Sequence, residues 1–228
     1  MKTGAIFAAM IAALWTWIAL GYPAYAHRFR LTVEVDTPDG LRSRSSVVEV
    51  ERRDYGWVPV SSPGRGRVFR VRGEGVFLDL GGGRNVVVVL AHGDNAEDVD
   101  RINSFWVEAY GNQRYAEDVW SSRKELRGVM ELRPPLIPTL VTFADPLDPA
   151  TVRVVLPGEI EQVFGLGFRF QRATLEMVAA RVPVTNGIIE QRLPWLVGLR
   201  TTLAGTRTVF TNDIRERLGP RSFRRQDP

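Results

Sequence analysis

The first pattern along the chain is a long run of uncharged residues. Thr3 to Ala26 contains 24 residues without a charge, and Arg28 and Arg30 follow shortly afterwards. As a helix this run would be roughly 36 Å long, enough to cross a hydrocarbon core of about 30 Å. The same residues also fit a signal peptide, because Ala24 and Ala26 are the small residues that a cleavage site requires. The sequence therefore predicts membrane contact, either as a retained anchor or as a signal peptide cleaved after Ala26.

Strict alternation of apolar and polar residues begins directly after this run. In RFRLTVEVD the apolar side chains occupy every second position, which predicts a half-buried strand. The turn residues of TPDG, including a positive φ at Gly40, and the returning SSVVEVER predict a hairpin. A second hairpin is predicted where GGGR separates two apolar runs, and the unbroken VVVVL predicts a central strand covered on both faces.

The middle of the chain has helical spacing. Two pairs of residues have the spacing of a capping box: Asp94 with Glu97, and Ser122 with Glu125. They predict helices over roughly 94–109 and 122–132, and the prolines of RPPLIP end the second one. Between the hairpins, residues 55–66 contain proline and glycine without a sustained period, which indicates a loop.

Strand patterns then return. Strands are predicted at TLVTFAD, TVRVVL and residues 168–178, with short helices at PGEIEQVFG and after a capping Thr185. We therefore predict an α+β fold in which β-hairpins, a helical middle and further strands form one mixed or antiparallel sheet. The predicted parts are 1–26, the anchor or signal peptide; 27–197, one α+β domain; and 198–228, a basic and irregular C-terminal arm.

Composition narrows the function classes. Of 228 residues 44% are hydrophobic and 25% are charged, as in ordinary globular proteins. The 30 basic residues, of which only two are lysine, are interspersed with 26 acidic ones, so the net charge of +4 indicates a mixed surface and no nucleic-acid partner is expected. The absence of cysteine excludes disulfides, thiolate nucleophiles and cysteine-bound zinc.

Residues 92–100 concentrate possible metal ligands. His92, Asp94, Asp98 and Asp100 lie together, but the stretch lacks the alternate acidic positions and the sixth-position glycine of a calcium loop. We expect the carboxylates to cap a helix N-terminus, and we expect no metal or other cofactor. The alternatives are a metal site at His92, Asp94 and Asp98, or a carboxylate-based hydrolase with its site near His92 and Asp94.

Other candidate chemistry has structural explanations. No G-x-S-x-G accompanies the two histidines, and GGGR lacks the lysine of a phosphate-binding loop. Asp145 and Asp148 precede proline and are expected to cap turns, although paired carboxylates also serve as acid and base in hydrolases. The tryptophans at 57, 106, 120 and 195 are expected in the core or an interface rather than on a sugar or base. Catalytic residues therefore stay unassigned.

The C-terminal arm is the densest group of positive charges. It contains Arg215, Arg217, Arg221, Arg224 and Arg225. We expect a solvated tail there. The alternative is a protein that binds an anionic polymer or anionic lipid through these five arginines.

Several sequence segments of the chain together resemble those of an uncharacterised family of proteobacterial proteins. They are RFRLTVEVDTPDG, SSVVEV, LVTFADPLDPATVRVV, IEQVFG, ATLEM, PVT and RLPWL, within residues 27–196. The resemblance implies an α+β domain behind one N-terminal hydrophobic segment, and it brings no known activity.

The leading hypothesis is a non-catalytic domain tethered to the bacterial inner membrane by a single pass. It faces the periplasm and binds a protein partner or a second copy of itself. The alternatives are release into the periplasm after cleavage, and a cytoplasmic domain, which the arginines after the run favour by the positive-inside rule.

Overall fold

The computed structural model describes residues 24–54, 67–111, 119–120, 126–206 and 211–227, which form a mixed α+β fold with mostly antiparallel sheets. The strands are β1 (Ala24–Thr37), β2 (Gly40–Asp54), β3 (Arg67–Glu74), β4 (Val76–Gly81), β5 (Arg84–Val88), β6 (Val129–Leu132), β7 (Leu140–Phe143), β8 (Val152–Val154), β9 (Arg169–Val178) and β10 (Arg224–Gln226). Within the described ranges, the α-helices with defined bounds are short: α1 (Phe105–Ala109), α2 (Ile160–Phe164), α3 (Ile188–Arg192), α4 (Ile214–Arg217) and α5 (Pro220–Phe223). Four 3₁₀ turns accompany them: Arg101–Asn103, Pro149–Thr151, Pro157–Glu159 and Pro194–Val197.

The strands form two sheets, so the prediction of one sheet is wrong. Sheet A has the order β10-β3-β2-β1-β9-β6, and sheet B has the order β4-β5-β7-β8. The chain passes from sheet A to sheet B at Gly75, where a Cβ atom would lie 2.2 Å from the Val88 carbonyl oxygen. Only glycine permits this approach of two backbones, and the apolar strands that follow gain more burial by packing across sheet A than by extending it.

The first hairpin confirms the alternating pattern of the sequence. β1 and β2 pair from Ala24 opposite Arg53 to Thr37 opposite Gly40, and Gly40 has a φ of 110°. Phe29 and Leu31 are buried, whereas Arg28 and Arg30 point to the other face and pair with acidic residues of β2 and β9. Sheet A therefore has one apolar face and one charged face.

Sheet B is buried on both faces, as predicted for the VVVVL strand. Val86 and Val88 belong to a core between the two sheets, together with Leu31 of β1. Val87 and Val89 belong to a second core on the opposite face of sheet B, which α3, α4 and α5 cover. The layers are therefore sheet A, sheet B and a C-terminal helical layer.

The C-terminal residues do not form the predicted irregular, solvated arm. Within 211–227 the chain forms α4, α5 and β10, and β10 pairs with β3 at the edge of sheet A. Leu218 and Phe223 are fully buried in the second core. The apolar residues between the arginines cause this difference, because they close the outer face of sheet B.

The helical predictions are wrong in three places. Asp94 caps no helix, and within residues 94–109 helical structure is limited to the 3₁₀ turn Arg101–Asn103 and α1. The predicted end of the second helix is β6, because Val129–Leu132 pairs with β9. Thr185 does not cap α3, since its hydroxyl accepts the Val47 N–H instead. In each case a tertiary contact replaces a local preference.

Other predicted elements are confirmed. Gly81–Gly83 turn the chain between β4 and β5, and β7, β8, α2 and β9 occur where strands and a short helix are predicted. The hydrophobic run up to Pro23, the loop 55–66 with Trp57, and Ser122 with Glu125 lie outside the described residues.

Candidate functional site

The residues proposed as metal ligands do not converge on one point. The backbones of His92 and Asp98 bridge each other at 2.9 and 3.0 Å, and the His92 ring lies 4.7 Å from the Phe105 ring. The Asp98 carboxylate accepts the Arg101 N–H at 2.8 Å, while Asp94 is exposed. No group of three acidic or histidine side chains among the described residues has the geometry to hold a metal ion. Asp98 thus caps the turn before α1.

The predicted turn role of the second acidic pair is confirmed. The Asp145 carboxylate accepts the Leu147 N–H at 2.9 Å, and the Asp148 carboxylate accepts the Ala150 N–H at 2.9 Å. These are turn contacts that aspartate makes with its own backbone. Neither carboxylate lines the clefts described below, so the geometry offers no carboxylate-based hydrolase site here.

Two of the tryptophans are core residues. Trp106 and Trp120 are 0% and 2% exposed and stack around the buried His27. Trp195 packs against Phe143 in the second core. Core packing is thus confirmed for Trp106 and Trp120, and Trp195 packs against the second core as a partly buried side chain.

The arginines of the predicted arm are bonded to acceptors of the same chain. Each has a partner in the described part of the chain: Arg215 with Asp213, Arg217 with the Thr211 carbonyl, Arg221 with Asp227, Arg224 with Glu190, and Arg225 with the carbonyls of Val99 and Arg221. Arg225 is only 2% exposed, and burial lowers the pKa of its guanidinium. Arg224 and Arg225 therefore attach the C-terminal residues to the rest of the domain, whereas the bonds of the other three arginines lie within residues 211–227.

A wide cleft at one end of sheet A carries charges that neutralise one another. Its volume is about 530 Å³, between the start of β1 and the end of β9. Arg28 lies on its wall, 2.7 Å from the Glu49 carboxylate, and donates to the Val182 carbonyl at 2.6 Å. The guanidinium of Arg28 is thus already satisfied, and the cleft presents no free charge at this point.

A different site lies where β3 leaves sheet A. β3 pairs with β2 only from Glu49 to Asp54, and the preceding half of β2 has β1 on one side alone. The Val47 N–H donates to the Thr185 hydroxyl, and the Val47 carbonyl accepts the Thr185 N–H, so the backbone groups of Val47 point away from β1. By the alternation of an antiparallel strand, those of Leu41, Ser43 and Ser45 point the same way. Described residues supply no hydrogen bond to these three.

Arginine side chains stand beside this open edge. Arg42 and Arg44 lie opposite Val35 and Val33 of β1, on the face of sheet A that is apolar further along the strand. Together with Arg192 of α3 they line a groove of about 190 Å³. Its remaining wall is the edge strand β4, with Phe77 and Asp79. We name this cleft, with the open edge Leu41–Ser45, the arginine groove.

The arginine groove continues into a neighbouring cleft of about 350 Å³, which shares Phe77, Asp79 and Arg192 and adds Arg84. Arg84 and Arg192 lie over the rings of Phe168 and Phe77, at 5.2 and 5.9 Å. Among the described residues, none of the four arginines of the two clefts has an ion pair or a side-chain hydrogen bond. Asp79 is the one carboxylate among the described lining residues, so the site has a net positive charge.

Glu74 positions α3 and therefore Arg192. Its side chain is 1% exposed and accepts the N–H groups of Ile188 and Ile189 at 3.0 and 3.3 Å. Its carbonyl accepts the Ser46 hydroxyl at 2.6 Å, which joins α3, β3 and β2 at the corner of the groove. Burial raises the pKa of the Glu74 carboxyl, although the N–H donors and the nearby Arg224 act in the opposite direction.

Sequence reasoning missed this site, because its arginines are distant in the chain and only the fold assembles them. One local signal was present. In β2 the positions 42, 44, 46, 48 and 50 share one face, and that face changes from valine to arginine toward the turn. Charged residues at positions that belong to the apolar face of a strand indicate where the core ends and a solvent-filled groove begins.

The chain was compared with protein-family models, with curated proteins and with solved structures, and no significant match was found. The resemblance to a proteobacterial family therefore depends on the quoted residues alone. In the part of the chain that the structure describes, no helix is long and apolar enough to cross a membrane. The predicted anchor lies almost entirely in residues 1–23, outside that part.

Proposed function

We propose that this protein is a membrane-tethered domain that binds a protein partner through the arginine groove. The observation that carries the proposal is the groove itself with its adjoining cleft, where four guanidinium groups that have no ion pair among the described residues stand beside strand edges. Exposed guanidinium groups and open backbone groups are both satisfied by a bound macromolecule.

The position of the groove relative to the hydrophobic run supports this function. β1 starts at Ala24, directly after that run, and ends at Thr37 beside the groove. Its 14 residues span roughly 45 Å at about 3.3 Å per residue. A domain tethered at Ala24 therefore holds the groove at the opposite end of sheet A, where a partner in the aqueous compartment reaches it.

We further propose that the hydrophobic run is retained and that the domain lies in the periplasm. Retention is favoured by the pairing of Ala24–Ala26 with Glu51–Arg53, which cleavage after Ala26 would remove. Cleavage would also place a charged amino group on His27, which is 3% exposed. The periplasmic side follows from the export-like N-terminus, with a cytoplasmic domain as the alternative.

Site-specific cross-linking in native membranes tests the binding function. Ser43 is replaced by photoreactive p-benzoylphenylalanine, and the control carries the same replacement at Arg153, an exposed residue on the far edge of sheet B. A discrete adduct is expected from position 43 alone, and Arg42→Glu with Arg192→Glu should abolish it. An adduct of twice the chain mass identifies a second copy as the partner. Equal patterns from both positions contradict a partner site at the groove.

Fractionation and fusions test the tether and its orientation. The full chain should stay in the membrane pellet through alkaline carbonate extraction, with Met1 present by mass spectrometry. Alkaline phosphatase fused after residue 228 should be active, whereas a fluorescent protein that matures only in the cytoplasm should stay dark. A soluble chain that retains Met1 contradicts the anchor, and a fluorescent fusion without phosphatase activity contradicts the periplasmic placement.

A further inference from the structure

We infer that the arginine groove binds an extended acidic segment of the partner, which adds as a strand to the open edge of β2. This inference rests on the proposed function and gives its partner a chemistry. The segment forms backbone hydrogen bonds with Leu41, Ser43 and Ser45, and its carboxylates pair with Arg42 and Arg44.

The backbone geometry is prepared for strand addition. Beyond Val47 the next residues toward the turn that point away from β1 are Ser45, Ser43 and Leu41. Each presents one N–H and one C=O group to the groove side, in the spacing that an antiparallel neighbour requires. Thr185 already occupies the equivalent place beside Val47 with two hydrogen bonds, of 2.8 and 3.0 Å. A bound strand would thus continue a line of pairing that β3 and Thr185 begin.

The arginines determine which strand fits. Arg42 and Arg44 are two positions apart and project from the same face of β2, so an added strand meets them with every second residue. Acidic residues at those positions face Arg42 and Arg44, with Arg192 on the opposite wall of the groove. The intervening residues face outward beside Leu41, which is 56% exposed, and there a small or β-branched side chain fits. The expected motif is acid-x-acid over about five residues.

The same geometry disfavours other anionic partners. Nucleic acid has no backbone amide row to pair with Leu41, Ser43 and Ser45, so it would use the guanidinium groups alone. An anionic membrane surface carries the same limitation, and the groove lies at the end of β1 remote from the proposed tether.

Charged side chains also protect sheet edges from pairing with other chains. Arginines that only protected the edge of β2 from pairing would require neither a groove nor a partner of particular sequence. Measuring the binding of defined peptides therefore distinguishes edge protection from recognition.

The experiment measures binding of a synthetic peptide by fluorescence anisotropy. The protein is the full chain in nanodiscs of uncharged lipid, and the probe is a labelled heptapeptide in which glutamate alternates with threonine and valine. The first control peptide has lysine in place of glutamate. The second keeps every glutamate but carries N-methyl groups on alternate backbone nitrogens, which removes the donors of one strand edge. We expect saturable binding of the first peptide and at least tenfold weaker binding of both controls.

Variants of the protein separate backbone pairing from charge. Ser43→Pro removes an N–H that points away from β1 and has no acceptor among the described residues. It should weaken the glutamate peptide about tenfold while the thermal unfolding midpoint stays close to wild type. Arg42→Glu combined with Arg44→Glu should weaken it by more than tenfold, and Arg153→Glu should leave it unchanged. The N-methylated peptide gives the same answer if Ser43→Pro fails to fold.

Three results would overturn the inference. Equal affinity for the glutamate peptide and its N-methylated form would exclude strand addition. Binding of a DNA oligonucleotide or of phosphatidylglycerol vesicles with greater affinity than the peptide, unaffected by Ser43→Pro, would assign the groove to an anionic polymer or lipid. Absence of peptide binding together with a position-43 adduct in membranes would refute the acidic strand while the proposed function survives. Absence of both the binding and the adduct would refute the inference and the proposed function together.

Discussion

The two arginine-rich parts of this molecule differ in what their guanidinium groups contact. Within residues 211–227 the arginines are dense in sequence, and each one is bonded to a carboxylate or a carbonyl of the same chain. The arginines of the two adjoining clefts are scattered from position 42 to position 192, yet they line one opening. Among the described residues none of these four arginines has an ion pair or a side-chain hydrogen bond, and Arg84 and Arg192 lie over aromatic rings.

This difference distinguishes arginines that are already bonded within the protein from arginines that are available to a ligand. A guanidinium that already donates to internal acceptors must lose those bonds before it binds a ligand, so its net gain is small. A guanidinium that contacts only water or an aromatic ring has no such loss. The density of arginine in a sequence is therefore a poor guide to an anion site, and the internal partners of each arginine are a better one.

The largest effect is expected where the C-terminal residues enter the core. Phe223 is 0% exposed and its ring lies 5.5 Å from Trp195. Phe223→Ala should reduce the free energy of unfolding by about 3–5 kcal/mol, because it removes a buried ring and leaves a cavity. Urea denaturation followed by tryptophan fluorescence measures this loss. Leu166→Ala is the matched control, since that side chain is 87% exposed, and an equal effect of the two would contradict a structural role for α5.

The next effect concerns the buried arginine of the C-terminal group. Arg225→Ala should reduce the free energy of unfolding by about 2 kcal/mol, because the carbonyls of Val99 and Arg221 lose their donor. Arg221→Ala is the control. It removes an ion pair with Asp227 in which the arginine side chain is 68% exposed, so the free energy of unfolding should fall by less than about 1 kcal/mol. A neutral result for Arg225→Ala would remove the distinction between the two arginine groups.

Glu74 connects the two regions, since it faces Arg224 and holds α3 beside the groove. Its raised pKa means that the folded state binds this proton more tightly than the unfolded state does. The stability that this carboxyl group contributes to the wild-type protein is thus fully present below about pH 4.5, the ordinary pKa of glutamate. It is lost as the pH rises through the raised pKa of the folded state.

Glu74→Gln cannot ionise, so the difference in unfolding midpoint, variant minus wild type, should rise with pH from about pH 4 toward neutrality. Thermal unfolding of both proteins at matched pH values measures the difference. A difference that is constant, or that falls with pH, would contradict the direction of the shift.

The smallest effect on stability belongs to the groove. Arg42→Ala combined with Arg44→Ala should change the free energy of unfolding by no more than about 0.5 kcal/mol, because neither side chain has an internal partner among the described residues. Denaturation by urea is again the measurement. A loss as large as that of Arg225→Ala would mean that these arginines support the fold, and the groove would lose its claim to be a binding site.

Much of the fold follows from the sequence because local pattern and tertiary environment agree. Alternation in RFRLTVEVD and in residues 168–178 produces β1 and β9, and GGGR produces the β4–β5 turn. The failures occur where they disagree. Val129–Leu132 continues a helical pattern, but its place beside β9 makes it β6. The residues from Gly198 on have too many arginines to suggest a core, yet Leu218 and Phe223 suffice to close one.

The candidate site was predicted less well than the fold for a related reason. Motif reasoning searches neighbouring positions, and it selected His92, Asp94 and Asp98 together with the five C-terminal arginines. The arginine groove depends on three separate events: β2 extends past β3, the chain turns at Gly75 into sheet B, and Glu74 places α3 across the gap. No single stretch of sequence contains that information.

The closure of sheet B by α3, α4 and α5 has a consequence during synthesis. Val87, Val89 and Phe143 leave the ribosome long before Phe223, which covers the same face. For that interval Ile189, Leu193 and Leu196 cover part of this apolar face, but the part that Leu218 and Phe223 cover stays exposed until those residues emerge. A chain truncated near residue 210 would accordingly be prone to aggregate and would not form a functional shortened domain.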